Sequence, residues 1–321
     1  MEPYAITLIC IASIVVFLLT LFVVGGYFFF KGIFKRKPFS LLGDKPNETG
    51  QRVFVKEERR KAIEHLDTLP NEKQEVVTFD GLTLRGKLFK APNGNPDGKL
   101  LICVHGYTSH GRREFAAYVP HVHDLGVDVL LVDDRAHGDS DGKYTGFSVL
   151  DRIDVKYWVE KMKPNYKKIY LFGISMGAAT SAMVAADMPE IAGLLFDCGF
   201  TSPIEAFRAT GTRHAPRFVV DPVFFFGRIW CKILLGFDFM KVSALEEIKK
   251  VKCPCVFVQG TADVIVPPHM SNQMYEACGS ERKRQELFEG AEHVASYYLE
   301  KDRYVEILKD FFAKGSVTTN G

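Results

Sequence analysis

The pentapeptide Gly173-Ile174-Ser175-Met176-Gly177 stands between two segments that favour different backbone conformations. Before it, Lys168-Ile169-Tyr170-Leu171-Phe172 is a short apolar, β-rich run. After it, Ala178-Ala179-Thr180-Ser181-Ala182-Met183-Val184-Ala185-Ala186 offers small residues suited to a closely packed helix. A strand must turn into a helix within a few residues. The flanking glycines leave the room such a turn needs. The geometry lifts the Ser175 hydroxyl above the end of a sheet, as in a nucleophile elbow. Taken alone the pattern is short enough to arise by chance, so its weight rests on the partners that follow it.

Around this turn, apolar strands alternate with helical stretches. That order implies a mostly parallel sheet with helices on both faces, the α/β class. Strands are expected at Leu100–Val104, Val127–Val132, Lys168–Phe172, Ala192–Phe196, Cys255–Gln259 and Gln285–Phe288. Helices are expected at Arg112–Asp124, Leu150–Lys161 and, closing the fold, Val294–Phe312. Upstream, Val55–Leu66 reads as a surface helix. The runs Glu75–Phe79 and Leu82–Phe89, separated by Asp80-Gly81, read as a hairpin with a tight two-residue turn. From Thr201 to Glu247 no strand pattern appears, and Val219–Trp230 is unusually aromatic. This insertion is either an ordinary packed excursion or a cap over the ligand cleft at the carboxyl ends of the strands.

The amino terminus follows a different rule. From Tyr4 to Phe30 there is no charged residue, and Leu, Ile, Val and Phe dominate. The run exceeds the roughly 20 residues that cross a bilayer. Its length, the acidic Glu2 and the lack of a small-x-small cleavage site favour a retained anchor outside the globular fold over a cleaved signal. Lys31, Lys35, Arg36 and Lys37 follow directly, which by the positive-inside rule places the remainder in the cytoplasm. Pro38–Gly50 reads as a linker. With 41 basic and 39 acidic residues, the net charge of +2 gives no electrostatic case for nucleic acid. Seven cysteines, an odd number scattered largely through apolar runs, suit a reducing compartment. Cys253-Pro254-Cys255 reads as a strand start, being too close-set for a usual zinc pair.

Ser175 needs a base, and the base an orienting acid. Asp263 follows the Pro254–Gln259 strand, within Gly260-Thr261-Ala262-Asp263. His293 follows the last strand, within Glu289-Gly290-Ala291-Glu292-His293. All three therefore stand at one sheet edge, in the order serine, acid, histidine. Asp197 also ends a strand and is the competing acid. Oxyanion donors are expected from the backbone amides of Met176, next to the serine, and Tyr107, in the loop after the Leu100–Val104 strand. His105 is then structural, and Asp133 and Asp134 anchor a turn. His65, His110, His121, His123 and His214 lack metal-type spacing and read as surface or packing residues. No phosphate loop, dinucleotide fingerprint or zinc pattern occurs, so neither cofactor nor metal is expected.

These residues together carry a resemblance. His105-Gly106, Asp134-Arg135-Ala136-His137-Gly138-Asp139-Ser140, the elbow, Gly260–Asp263 with Val266-Pro267, and Gly290–His293 resemble the α/β-hydrolase superfamily. Within it they look like the dienelactone-hydrolase-like and serine-aminopeptidase-like bacterial enzymes. The resemblance covers about 190 residues. It implies an α/β-hydrolase fold at 75–314 with a cap insertion at about 201–247. Before it come a transmembrane anchor at 1–30 and a juxtamembrane linker with lead-in helix at 31–74, and after it a tail at 315–321. It also implies Asp263 over Asp197 as the acid, and a structural role for Arg135, His137 and Ser140 in bracing the loop behind the oxyanion hole. Ala136 departs from relatives that often have glycine there.

The expected activity is a membrane-anchored serine hydrolase cleaving carboxylic acyl esters through Ser175, His293 and Asp263. Its partners would be a small acyl ester or peptide-like substrate and the lipid bilayer. Peptidase, thioesterase or acyltransferase chemistry uses the same groups. A catalytically idle membrane-tethered scaffold is the reading from another class, disfavoured because all three residues are present.

Overall fold

The computed structural model describes residues 2–37 and 50–314, so most of the expected linker and the 315–321 tail lie outside the described residues. Eight strands form one sheet: β1 Glu72–Val77, β2 Thr83–Phe89, β3 Lys99–Val104, β4 Asp128–Val132, β5 Lys168–Ile174, β6 Gly193–Asp197, β7 Cys255–Gly260 and β8 Lys283–Phe288. Their spatial order is β1-β2-β4-β3-β5-β6-β7-β8. The β1–β2 and β2–β4 pairs are antiparallel, and every other pair is parallel. Central strands are apolar throughout because both faces are covered. In β3, Leu100, Ile102 and Val104 join one core while Leu101 and Cys103 join the other. The first core packs under helices Asp151–Met162, Met176–Asp187 and Pro268–Ala277. The second packs under Gln51–Leu66, Gly111–Phe115, Val119–His123 and Lys301–Lys314.

Three local expectations change. The hairpin does not close on Asp80-Gly81 alone. Thr78 N donates to Leu82 O (2.9 Å) and Gly81 N to Thr78 O (3.0 Å), a three-residue turn with Gly81 at φ +79°. Asp80 is instead committed to Thr78 and Arg135. The expected helix over Arg112–Asp124 is two, broken before Pro120, whose ring nitrogen cannot donate. The closing helix is likewise split, into Ser296–Leu299 and Lys301–Lys314.

The insertion is helical. Pro203–Gly211 leads into a long cap helix, Arg217–Leu235, which ends at Gly236 in the left-handed region (φ +76°). Against it packs the N-terminal helix, Pro3–Phe34, long and apolar enough by length and composition to cross a membrane. This helix extends past residue 30, and its last turns are part of the globular fold. Gly26 and Gly227 let the two backbones approach: a Cβ on Gly26 would stand 2.5 Å from Phe226 Cβ, and one on Gly227 2.4 Å from Phe29 Cδ1. Trp230 Nε1 donates to Val23 O (3.1 Å). Phe30 and Phe34 are fully buried, Phe34 among Phe147, Phe207, Phe237 and Phe239. Arg36 then donates to Ser140 O (2.6 Å) and Gly138 O (2.7 Å). Charge-free composition suits a membrane span and a protein core equally well, and the last turns of this helix lie in the core.

Candidate active site

Ser175 follows β5 with φ 56° and ψ −115°, a conformation strained for any residue but glycine. Close packing enforces it. A Cβ on Gly173 would stand 2.2 Å from Gly177 O, and one on Gly177 1.9 Å from Val104 O. Ser175 N donates to Asp197 O (2.8 Å), so the adjacent strand holds the turn. The Ser175 Oγ is 3.1 Å from His293 Nε2, and His293 Nδ1 is 2.6 Å from Asp263 Oδ2. Asp263 is buried. Its Oδ1 accepts from Ile265 N (2.8 Å) and Val266 N (2.9 Å), and Gln259 Nε2 donates to its Oδ2 (3.3 Å). Three N–H groups thus fix the orientation of its side chain. Cys198 lies behind the pair, its Sγ within 4.8 Å of the Asp263 and His293 donor atoms, and burial keeps that thiol's pKa well above the ordinary range.

Of the two acids weighed from sequence, Asp263 is the one that meets the imidazole. Asp197 is buried, and its Oδ2 accepts instead from Tyr304 OH (2.8 Å). Burial pushes its pKa up from 3.8 to about 7. An acid whose pKa is raised by folding stabilises the fold fully below its unfolded value, and that contribution is lost as pH rises through the folded one. Relative to Asp197→Asn, the wild-type melting temperature is therefore expected to fall between about pH 4 and pH 7, read by calorimetry of both proteins across that range. A difference that stays flat across the range would refute the shift.

The loop bearing Tyr107 lies against the serine. A Cβ on Gly106 would be 3.3 Å from Ser175 Cβ. Buried groups hold this loop from behind. Asp134 N donates to His105 Nε2 (3.0 Å), and Thr108 N to His137 Nε2 (3.2 Å). Burial lowers the His137 pKa to about 3, so the ring stays neutral and able to accept. Arg135 spans Asp154 (2.6 and 2.7 Å) and Asp80 (2.9 and 3.3 Å), while Ser140 Oγ donates to Asp133 O (2.6 Å) and accepts from Arg85 N (2.8 Å). Asp133 accepts from Gly111 N and Asp139 N. Ala136 sits at φ 61°, a position a glycine fills without strain. Ala136→Gly is expected to raise stability by about 1 kcal/mol, measured by denaturant unfolding.

Sequence reading missed the supports that reach in from far along the chain. Gln51 Nε2 donates to Gly290 O (2.6 Å) and its Oε1 accepts from Glu292 N (3.0 Å), clamping the His293 loop. Gly106 N donates to Glu114 Oε2 (3.2 Å), and Glu114 is held by Arg59 (3.0 Å). Tyr107 OH donates to Ile33 O (2.7 Å), tying its loop to the N-terminal helix. No local pattern in the sequence announces any of these. Of the other histidines, His110 caps the Gly111–Phe115 helix, His121 meets Tyr297 OH (3.1 Å) and His123 meets Phe89 O (3.3 Å). A cavity of about 810 Å³ is lined by Tyr107 and Thr108 together with Lys35, Lys37, Lys73 and Lys87, and Ser175 is not among its lining residues.

Residues 94–210 and 213–297 match the family of serine aminopeptidase S33, Hydrolase_4. Among curated relatives, YqkD of Bacillus subtilis is 29% identical over 230 residues, covering 69% of this chain and 72% of its own. The thermostable monoacylglycerol lipase of Bacillus sp. strain H-257 is 25% identical over 248 residues, covering 70% and 94%. The Pyrococcus furiosus esterase Pf2001 superposes with a TM-score of 0.63 at 22% identity, covering 79% of this chain and 94% of its own, a likeness of fold. With more than half its length in that match and an eight-stranded, mostly parallel sheet, the chain belongs to the serine aminopeptidase S33 family of α/β-hydrolases and is a serine hydrolase.

Proposed function

We propose that this protein hydrolyses carboxylic acyl esters through an acyl-enzyme, with Ser175 as nucleophile, His293 as base and Asp263 as its orienting acid. The observation that carries the proposal is the unbroken hydrogen-bond series from Ser175 through His293 to Asp263. In this reading Ser175 Oγ attacks the acyl carbon while its proton passes to His293 Nε2. Asp263 holds the Nδ1–H tautomer and stabilises the imidazolium. The amides of Tyr107 and Met176 donate to the oxyanion. His293 then returns the proton to the departing alkoxide, and a water it activates releases the acid.

Esters are favoured over peptides because the curated relatives with a printed activity include monoacylglycerol lipases from Bacillus and from Homo sapiens. The N-terminal helix is read as a retained anchor with the hydrolase domain in the cytoplasm, on the strength of Lys31, Lys35, Arg36 and Lys37. Protease protection on intact cells tests that orientation, and digestion of the domain from outside would reverse it.

The chemistry is tested with the full-length protein in detergent against p-nitrophenyl esters from acetate to laurate, beside fluorophosphonate labelling. Turnover and labelling that both vanish in Ser175→Ala support the mechanism. Neither in the wild type would leave the scaffold reading, and labelling without turnover would point to an acyl donor other than a simple ester. Asp263→Asn is expected to lower kcat about 10³- to 10⁴-fold by presenting the wrong tautomer. Near-full activity would pass the role to another acid.

A further inference from the structure

The cap helix is apolar on two sides. Val220, Phe224, Gly227 and Cys231, at i, i+4, i+7 and i+11, are buried, Phe224 and Gly227 against the N-terminal helix and Val220 beside Gly211. Phe218, Phe225, Ile229 and Ile233, at i, i+7, i+11 and i+15, form a second stripe that is 77%, 47%, 36% and 67% exposed. No described residue covers this outer stripe. Asp221 and Lys232 stand at its edge, and every charge of the helix is paired. Asp221 pairs with Arg208 and Arg217, while Arg228 and Lys232 pair with Asp238.

The N-terminal helix indicates the level at which this stripe lies. From Tyr4 it runs in exposed apolar residues to Leu21, and about 20 residues at 1.5 Å each span the roughly 30 Å of a hydrocarbon core. That length ends near Val23, where the cap helix first meets it through Trp230. The pairs Val23 with Trp230, Gly26 with Gly227 and Phe29 with Phe224 show that the two helices run antiparallel. The C-terminal half of the cap helix is therefore directed back toward the span, with Ile233 at its exposed end. Tyr27 and Trp230 meet edge to face at 5.3 Å at the same level, and amphipathic aromatics of this kind favour the membrane–water boundary.

We propose that the C-terminal end of the cap helix enters the bilayer beside the anchor, with Ile229 and Ile233 at the acyl boundary and Phe225 at headgroup level, so that anchor and cap form one membrane seat. Continuity with the anchor and basic residues flanking an aromatic, apolar stripe select lipid as the occupant. This rests on the reading of the N-terminal helix as a retained anchor. A substrate dissolved in the bilayer would then reach the domain at the cap.

The test uses full-length protein in phosphatidylcholine vesicles, spin-labelled at Ile229→Cys or Ile233→Cys in a Cys10→Ser, Cys253→Ser background. Labels on native Cys10 and at Lys61→Cys serve as references. Both cap labels are expected to collide several-fold more often with oxygen than with a nickel chelate, as Cys10 does, while Lys61→Cys shows the reverse. Cap labels that behave like Lys61→Cys beside a lipid-like Cys10 overturn the cap's seat alone. A water-like Cys10 overturns the anchor and the seat with it. Exclusion of both reagents with spin–spin broadening would assign the stripe to a second copy and overturn the lipid. In addition, Ile233→Asp should lower hydrolysis of a vesicle-borne long-chain ester about tenfold and leave a soluble short-chain ester within about twofold. Equal losses on both would also refute the proposal.

Discussion

Ser175→Ala is expected to lower kcat on p-nitrophenyl esters by about 10⁵- to 10⁶-fold, with KM within a few-fold of wild type. The change removes one oxygen from a half-buried position, so the fold should be untouched and the melting temperature nearly constant. His293 would keep its bond to Asp263 but have no nucleophile to activate. In the proposed triad the three groups act as a unit, so His293→Ala alone should cost nearly as much, and the double variant hardly more. Additive losses would mean that the two side chains act in separate steps. Single-turnover kinetics on both variants and their combination separates these outcomes. A drop of less than about 100-fold in Ser175→Ala would remove the acyl-enzyme altogether.

Phe34→Ala in the full-length protein is expected to destabilise the hydrolase domain by about 3–5 kcal/mol, which corresponds to roughly 10 °C in melting temperature for a domain of this size. Phe34 is wholly enclosed by rings, with Phe239 stacked at 5.8 Å and Phe147, Phe207 and Phe237 edge-on. Those neighbours come from separate segments, the turn at Phe147, the Pro203–Gly211 helix and the chain at Phe237 and Phe239, and are each buried in their own packing, so the space does not close. Removing residues 1–34 entirely should be worse. It deletes both Phe30 and Phe34, uncovers the inner side of the cap helix around Gly227, and takes away the Ile33 carbonyl that receives Tyr107 OH. Losses of that size rival the 5–15 kcal/mol that typically separates folded from unfolded chains. The truncated domain is therefore expected to aggregate or melt at room temperature, checked by expression and circular dichroism beside the detergent-solubilised full chain. A truncated domain that folds, with an unchanged melting temperature, would show the helix to be a dispensable tether. An assay on the domain freed of its anchor would then be sound, whereas the packing argues for assaying the intact protein.

The features legible in the sequence are those written in short-range order. The change from a β-rich run to small helical residues at 168–186 marks the elbow, and apolar runs at regular intervals mark the parallel sheet, since side-chain period and burial are local properties. Strand ends also announce themselves, which is why Asp263 and His293 were found beside Ser175. The charge-free run at 4–30 marks a helix that water alone does not accommodate. Tertiary structure decided what local order leaves open. Asp197 and Asp263 both end strands, and only the packed sheet turns one toward His293 and the other toward Tyr304. Gln51 reaches the His293 loop from far upstream, and Arg59 braces Glu114 behind the loop bearing Gly106 and Tyr107. The N-terminal helix reads as a simple span because composition cannot distinguish lipid from protein core. Its last turns became part of the domain only when Gly26 and Gly227 let two helices touch and Phe34 found a pocket of rings. Such contacts join residues tens to hundreds of positions apart, and their energies exist only once the chain has closed those loops.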